Sequence, residues 1–251
     1  VLHALIHIFA IISTVNPGGV TSRAKKILRS YLRRYLNQEL EEEYFRLYEN
    51  TLGFYRQELK GVGEGELSDE NSLITFQITN ICRQIKKGLF LKERMIVFLQ
   101  LLEFVYEDNT ISEQEGFIVE IVARTFNISN EEYVNATSFM FGMRLDDINP
   151  DNLLAIEGED NHSDAVTVYR NYDEWHHLKI QGLTGVIYAL FITSTEHIVF
   201  VYNGRLPLHF KGRNIVPLRP YLLEPGVNIR AQGVSPVYYT SVFRKFIRDN
   251  F

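Results

Sequence analysis

The sequence predicts an α+β protein in two parts, an all-helical bundle over residues 1–147 and a small all-β, sandwich- or barrel-like domain over 148–251. Three observations carry this expectation. Apolar residues recur at helical spacing from Leu2 to about Gly142. The stretch Arg144–Asn152 is polar and turns at Asn149-Pro150-Asp151, and from Leu153 onward short β-type runs alternate with Gly, Pro, Asn and Asp. An apolar fraction of 45% with 23% charged residues is that of a folded chain rather than a disordered one. The single cysteine, Cys82, excludes a disulfide framework and a thiolate zinc site, and in its apolar helical setting it reads as a buried, inert thiol.

Helix one, Leu2–Val15, is apolar enough to raise the question of a leader or a membrane span. It lacks a basic leader and a small-residue cleavage site, carries His3 and His7, and stops at Asn16-Pro17-Gly18-Gly19. That is short of the roughly 20 residues a span requires, so a buried core helix is expected. A start on Val1 rather than Met is what a piece of a longer protein would show.

Helix two follows Thr21 as N-cap, with Ile27, Leu28, Tyr31, Leu32 and Tyr35 on one side and Arg23, Lys25, Lys26, Arg29, Arg33 and Arg34 around the rest. Because Glu39, Glu41, Glu42 and Glu43 follow at once, pairing within the chain is expected, and no nucleic-acid partner. A third helix covers Glu39–Leu52. The Gly61-Val62-Gly63-Glu64-Gly65 connection after it is a loop without the spacing or strand–helix setting of a phosphate cradle. Helix four starts after Ser68 and runs to Lys87 with Gly88 as its C-cap, and helix five covers Leu91–Tyr106.

The chain turns on Leu101–Asn127, a helix running through a short acidic loop into a second helix. Ser112 and Glu115 have the spacing of a capping box, and Ile111 stands where a hydrophobic staple would. At an offset of 91 residues, Val20 and Thr21 align with Ile111 and Ser112, and Ile27, Leu28, Tyr31 and Tyr35 with Ile118, Val119, Val122 and Phe126, a weak internal repeat. Glu107, Asp108, Asn109 and Glu113 offer oxygen ligands to a divalent cation, without the spacing of an EF-hand. The same acids suit the positive start of a helix. Helix seven, Asn130–Met140, follows Ser129.

Strands are expected at Leu153–Glu157, Ala165–Arg170, His177–Ile180, Val186–Thr193, His197–Tyr202, Leu206–Phe210, Ile215–Leu218, Asn228–Ala231 and Val237–Thr240. Val242–Phe251 reads as helix or strand. His176 and His177 are adjacent on a strand and so point to opposite faces, which excludes chelation of one ion from one face. Charge is uneven: residues 1–150 hold 16 basic against 21 acidic side chains, whereas Gly204–Phe251 holds 8 against 2. A basic tail of this kind can meet an acidic partner, a phosphate or an anionic membrane surface.

The run Glu107-Asp108-Asn109-Thr110-Ile111-Ser112-Glu113-Gln114-Glu115 resembles the acidic loop and helix start of TerB-like domains, named after tellurite-resistance proteins. That resemblance implies an all-helical bundle with pseudo-twofold halves and, in some members, divalent cations at the loops. The first loop here, Asn16-Pro17-Gly18-Gly19, has no carboxylate, so at most half of such a site is implied.

Farther on, the Glu224-Pro225-Gly226-Val227-Asn228-Ile229-Arg230 segment and Ser235-Pro236-Val237-Tyr238-Tyr239 resemble the part of forkhead-associated domains that contacts a phosphorylated residue. This implies phosphopeptide or partner binding through Arg230, Ser235, Tyr238 and Tyr239. The chain as a whole, above all its SPVYYTSV run, is similar to the soluble N-terminal region of large bacterial ABC transporter ATP-binding proteins. A non-catalytic accessory and regulatory role at the cytoplasmic side of the inner membrane is implied. ATP and Mg would belong to a downstream ATPase, which with the membrane domains would be the partner. The competing expectation is a stand-alone stress-response adaptor that recognises phosphorylated protein. The sequence holds no recognisable catalytic signature.

Overall fold

The computed structural model describes residues 2–15, 22–60, 67–106, 110–159 and 169–248. Among these the protein is α+β, with helices in the N-terminal half and two sheets with a final helix in the remainder. It divides into two compact units, residues 1–133 and 134–251.

The first unit contains α1 (Leu2–Val15), α2 (Ser22–Tyr35), α3 (Gln38–Lys60), α4 (Leu67–Gly88), α5 (Leu91–Val105) and α6 (Glu113–Phe126). Leu5, Ile6, Ile8, Phe9, Ala10, Ile11 and Ile12 of α1 are all buried, because a helix apolar all round finds a stable place only inside others. Phe9 stacks on Phe104 of α5 at 3.9 Å between ring centroids and meets Tyr31 of α2 edge-on at 5.2 Å. The core of the unit is built on this trio.

The basic run of α2 is neutralised by the acidic start of α3. Arg33 Nε donates to both oxygens of Glu41 at 3.0 and 2.9 Å, and Arg29 donates to Glu41 at 3.2 Å and Glu42 at 2.9 Å. Arg29 also lies 3.8 Å over the Phe45 ring, and Lys25 reaches Glu49 at 2.6 Å. α3 continues past the expected end at Leu52 to Lys60. Gly53 is too weak a breaker to stop it, because Tyr55 one half-turn on is buried. Asn16–Gly19, Thr21 and the Gly61–Gly65 loop lie outside the described residues.

The capping box at α6 forms as its spacing predicts. Ser112 Oγ accepts from the Glu115 amide at 3.2 Å, and the Glu115 carboxylate accepts from the Ser112 amide at 2.8 Å. The staple does not close. The residue that Ile111 should meet one turn into the helix is Gly116, which has no side chain, and Ile111 is left exposed. Asn127 ends α6 in the left-handed region, a conformation asparagine adopts more readily than most residues.

The division along the chain falls inside α7 (Asn130–Met140), whose first turn is held by Ser129 Oγ accepting from the Glu132 amide at 3.2 Å. The second unit continues with 3-10 turns at Leu145–Asp147 and Pro150–Asn152, then β1 (Leu153–Gly158), β2 (His176–Ile180), β3 (Val186–Ile192), β4 (His197–Asn203), β5 (His209–Phe210), β6 (Arg213–Asn214), β7 (Pro220–Leu223), β8 (Asn228–Ala231), β9 (Val234–Tyr238) and α8 (Tyr239–Arg248). One sheet has the order β2-β1-β3-β4-β7 and the other β6-β5-β8-β9. Among the described strands, only β1 and β2 pair parallel.

Both sheets face one core of Leu154, Ile156, Ile187, Phe191, Phe200, Phe210, Ile229 and Val237, and α8 adds Val242 and Phe246 to it. Phe246 stacks on Phe191 at 4.9 Å. This corrects the expectation of a purely β domain: the last apolar run is helical because Val242 and Phe246 are spaced for one helical face. Tyr239, expected at a strand end, opens α8 instead.

Of Leu206–Phe210 only the last two residues are strand, and Ile215–Leu218 is a pinned turn. There Ile215 N donates to Leu208 O and Leu218 N to Tyr202 O, both at 2.8 Å. In the expected strand Ala165–Arg170, Tyr169 and Arg170 are not strand and the rest lies outside the described residues.

Candidate functional site

The sequence points to two surfaces. Glu107, Asp108 and Asn109 of the expected cation loop lie outside the described residues. Glu113 is exposed as the first residue of α6, beside a Glu115 already committed to the capping box. Among the described residues, no three His, Cys, Asp or Glu side chains group as a metal site.

The second surface is the solvent side of the smaller sheet. β8 and β9 pair Ile229 with Val237 and Ala231 with Val234, so a bulge sets Ser235 and Pro236 opposite Arg230. His209 of β5 stands directly across from Arg230 on the other side, and Asn228 across from Tyr238. Arg230, His209 and Tyr238 are all exposed, and Arg230 Nε donates to Asn228 Oδ1 at 2.8 Å. Tyr239 does not join them. It packs on the core side, stacked on Phe243 at 5.5 Å. The fold therefore brings Arg230, Ser235 and Tyr238 together and turns Tyr239 away.

A third cluster escaped the sequence. Glu157 is the one charged residue in the apolar β1, and on the sheet face opposite the shared core it is only 3% exposed. Its carboxylate accepts from the Tyr172 hydroxyl and, at 2.8 Å, from Lys179 Nζ on the neighbouring β2. His177 Nδ1 stands 3.9 Å away. Tyr169, Tyr172 and Trp175 roof the cluster, with Tyr169 and Trp175 edge-on to Tyr188 of β3 at 5.8 and 6.1 Å. Burial pushes the Tyr188 phenol up from its ordinary value, and the neighbouring Tyr169 and Glu157 add to that.

The buried Trp175 Nε1 donates to no described group. Chemically the cluster is a fixed, desolvated acceptor that holds β2 to β1 and ties the Tyr172–Glu174 turn to both. Its sequence signal was a lone acid inside an apolar strand. His176 and His177 have separate partners, Asp151 O at 3.0 Å and Tyr172 O at 3.1 Å, as opposite-facing neighbours must.

On the helical unit an open cleft of about 620 Å³ is lined by His3, Glu39, Glu43, Tyr44 and Arg46. No described helix is long and apolar enough to cross a membrane. Comparison with protein-family models, curated proteins and solved structures returned no match.

Proposed function

We propose that this chain is a non-catalytic accessory and regulatory region of an ABC transporter ATP-binding protein, its helical unit a TerB-like bundle working at the cytoplasmic side of a bacterial inner membrane. The observation that carries the reading is a set of exposed aromatic rings on the helical unit: Phe54 on α3, Phe76 on α4, Phe90 at the α4–α5 joint and Phe117 on α6. Rings exposed together as one patch mark a surface for a protein partner, and the reading takes these four as such a patch. The resemblance of the SPVYYTSV segment and its surroundings supplies the partner's identity, a downstream ATPase that would hold ATP and Mg.

The test is to read the gene past the codon for Phe251 and look for G-x-x-x-x-G-K-[ST] after a strand. A stop codon ahead of any such motif sinks the reading. Its cation component, at Glu107, Asp108, Asn109 and Glu113, is abandoned if calorimetry with calcium, magnesium, manganese and zinc yields no binding heat.

One observation favours a second reading, an adaptor that recognises phosphorylated protein. Arg230 faces the bulge that holds Ser235, with His209 beside it, and an arginine fork is a usual partner of phosphate. Phosphothreonine peptides would bind the chain and lose binding in Arg230→Ala. Equal binding by unphosphorylated peptides would remove this reading.

A further inference from the structure

Helix α1 is built mostly of Ala, Leu, Ile and Phe, and its only ionisable side chains are His3 and His7. Four residues apart on a helix, the two lie one above the other on a single face. Their rings stack at 5.9 Å between centroids, with 29° between the planes. His3 is exposed and His7 half-buried. The inner ring is held from behind. His7 Nδ1 is hydrogen-bonded to the hydroxyl of the buried Tyr55 on α3 at 3.2 Å, and the Tyr55 ring meets it edge-on at 6.1 Å. With Nδ1–H donating to that oxygen, Nε2 keeps a lone pair for a further partner, the arrangement that orients a metal-ligating imidazole. His3 also lines the open cleft of the helical unit, where Glu39 and Glu43 attract a cation and Arg46 opposes it.

We infer that His3 and His7 form a two-point chelate for a divalent first-row transition ion, with water on its remaining positions and Tyr55 as a positioning residue. Imidazole suits such ions, whereas the hard cations that would suit the acidic loop at Glu107, Asp108, Asn109 and Glu113 prefer oxygen. Two nitrogens about 2.0–2.1 Å from one ion keep their ring centres within about 6 Å of each other. The 5.9 Å separation meets that limit, and rotation of the exposed His3 ring closes the angle at the ion. Among the described residues no third His, Cys, Asp or Glu joins them. The ion is therefore open to exchange, unlike one in a closed four-ligand structural site. The inference is independent of the transporter reading, and binding at the acidic loop would survive the loss of either histidine.

The experiment is calorimetric titration of the whole chain with Cu²⁺, Ni²⁺ and Zn²⁺, its α-amine acetylated so that the amine cannot chelate copper together with His3. Wild type is compared with His3→Gln and with His7→Gln. The first is a surface change and the second keeps a hydrogen-bonding group for Tyr55, so both should fold with the wild-type helix signal. The expected result is a tightest site for one Cu²⁺ per chain, weaker for Ni²⁺ and Zn²⁺, with copper affinity falling roughly 10–100-fold in each variant because each removes the intramolecular half of the chelate. The electron paramagnetic resonance spectrum of bound copper should show two imidazole nitrogens in wild type and one in either variant. Absence of copper binding overturns the inference. So does a copper affinity that either variant leaves unchanged, which would place the ion on other groups of the chain.

Discussion

Two glycines in this protein have opposite meanings. Gly116 sits in the first turns of α6 with ordinary helical backbone, and a Cβ there would lie 3.9 Å from Ile111 Cδ1, an ordinary van der Waals contact. Gly116→Ala should therefore stabilise the helical unit by roughly 0.5–1 kcal/mol, through lower unfolded-state entropy and a partial closing of the missing staple. A thermal melt followed by helix signal checks it, and a lower midpoint would contradict the geometry. Gly182 has a φ of 79°, and its Cβ would stand 2.1 Å from Gly233 O, where backbone must move to admit it. Gly182→Ala should cost at least about 1–3 kcal/mol, seen as a lower denaturant midpoint of the β unit. Glu157 belongs at this scale as well. Glu157→Leu removes the acceptor but strands the Tyr172 hydroxyl, so a loss of about 1–3 kcal/mol in a urea melt is expected, against a smaller loss in Glu157→Gln.

Among the elements, α2 and α3 are joined by charge as well as by packing, which makes their union sensitive to acid. The Glu41 carboxyl is held below the usual carboxylate range, chiefly by the hydrogen bond from Arg33 and further by Arg29, against the opposing effect of burial. A group whose folded value lies below its unfolded one contributes stability above the ordinary carboxylate range and loses it as pH falls through the folded value. Wild type should lose helical-unit stability on acidification more steeply than Glu41→Gln, measured as Tm at neutral and at acid pH. Parallel slopes would assign the acid sensitivity elsewhere. This pairing was legible in the sequence, because a basic helix followed at once by four acids has an obvious partner within reach. The Ser112–Glu115 capping box and the described helices α1 to α7 were legible for the same reason, apart from the extension of α3 to Lys60: their signals are local and repeat within a turn or two. The second sheet was harder to read. β5 and β6 are two residues each and exist only through cross-strand pairing that local pattern does not encode.

For the molecule as a whole, the change from helix to sheet near Leu153 could be read from composition, whereas the division into units at Tyr133 and Val134 could not, since it depends on which contacts α7 makes rather than on what α7 is. The Glu157 cluster was hidden for a related reason. Its members come from β1, β2, β3 and the Tyr172–Glu174 turn, and only the parallel register of β1 with β2 places Lys179 beside Glu157. The chain's lone thiol and lone indole, by chance of composition, fall one in each unit. Cys82 is fully buried and its thiol is pushed up to about 12, so at neutral pH it should resist iodoacetamide until the helices part. Indole emission from Trp175, packed among tyrosines, should meanwhile follow the sheets alone. The native protein thus carries two independent clocks, one alkylated and one luminous. If both run at the same temperature the halves melt as one body, and if they separate, each half has a stability of its own.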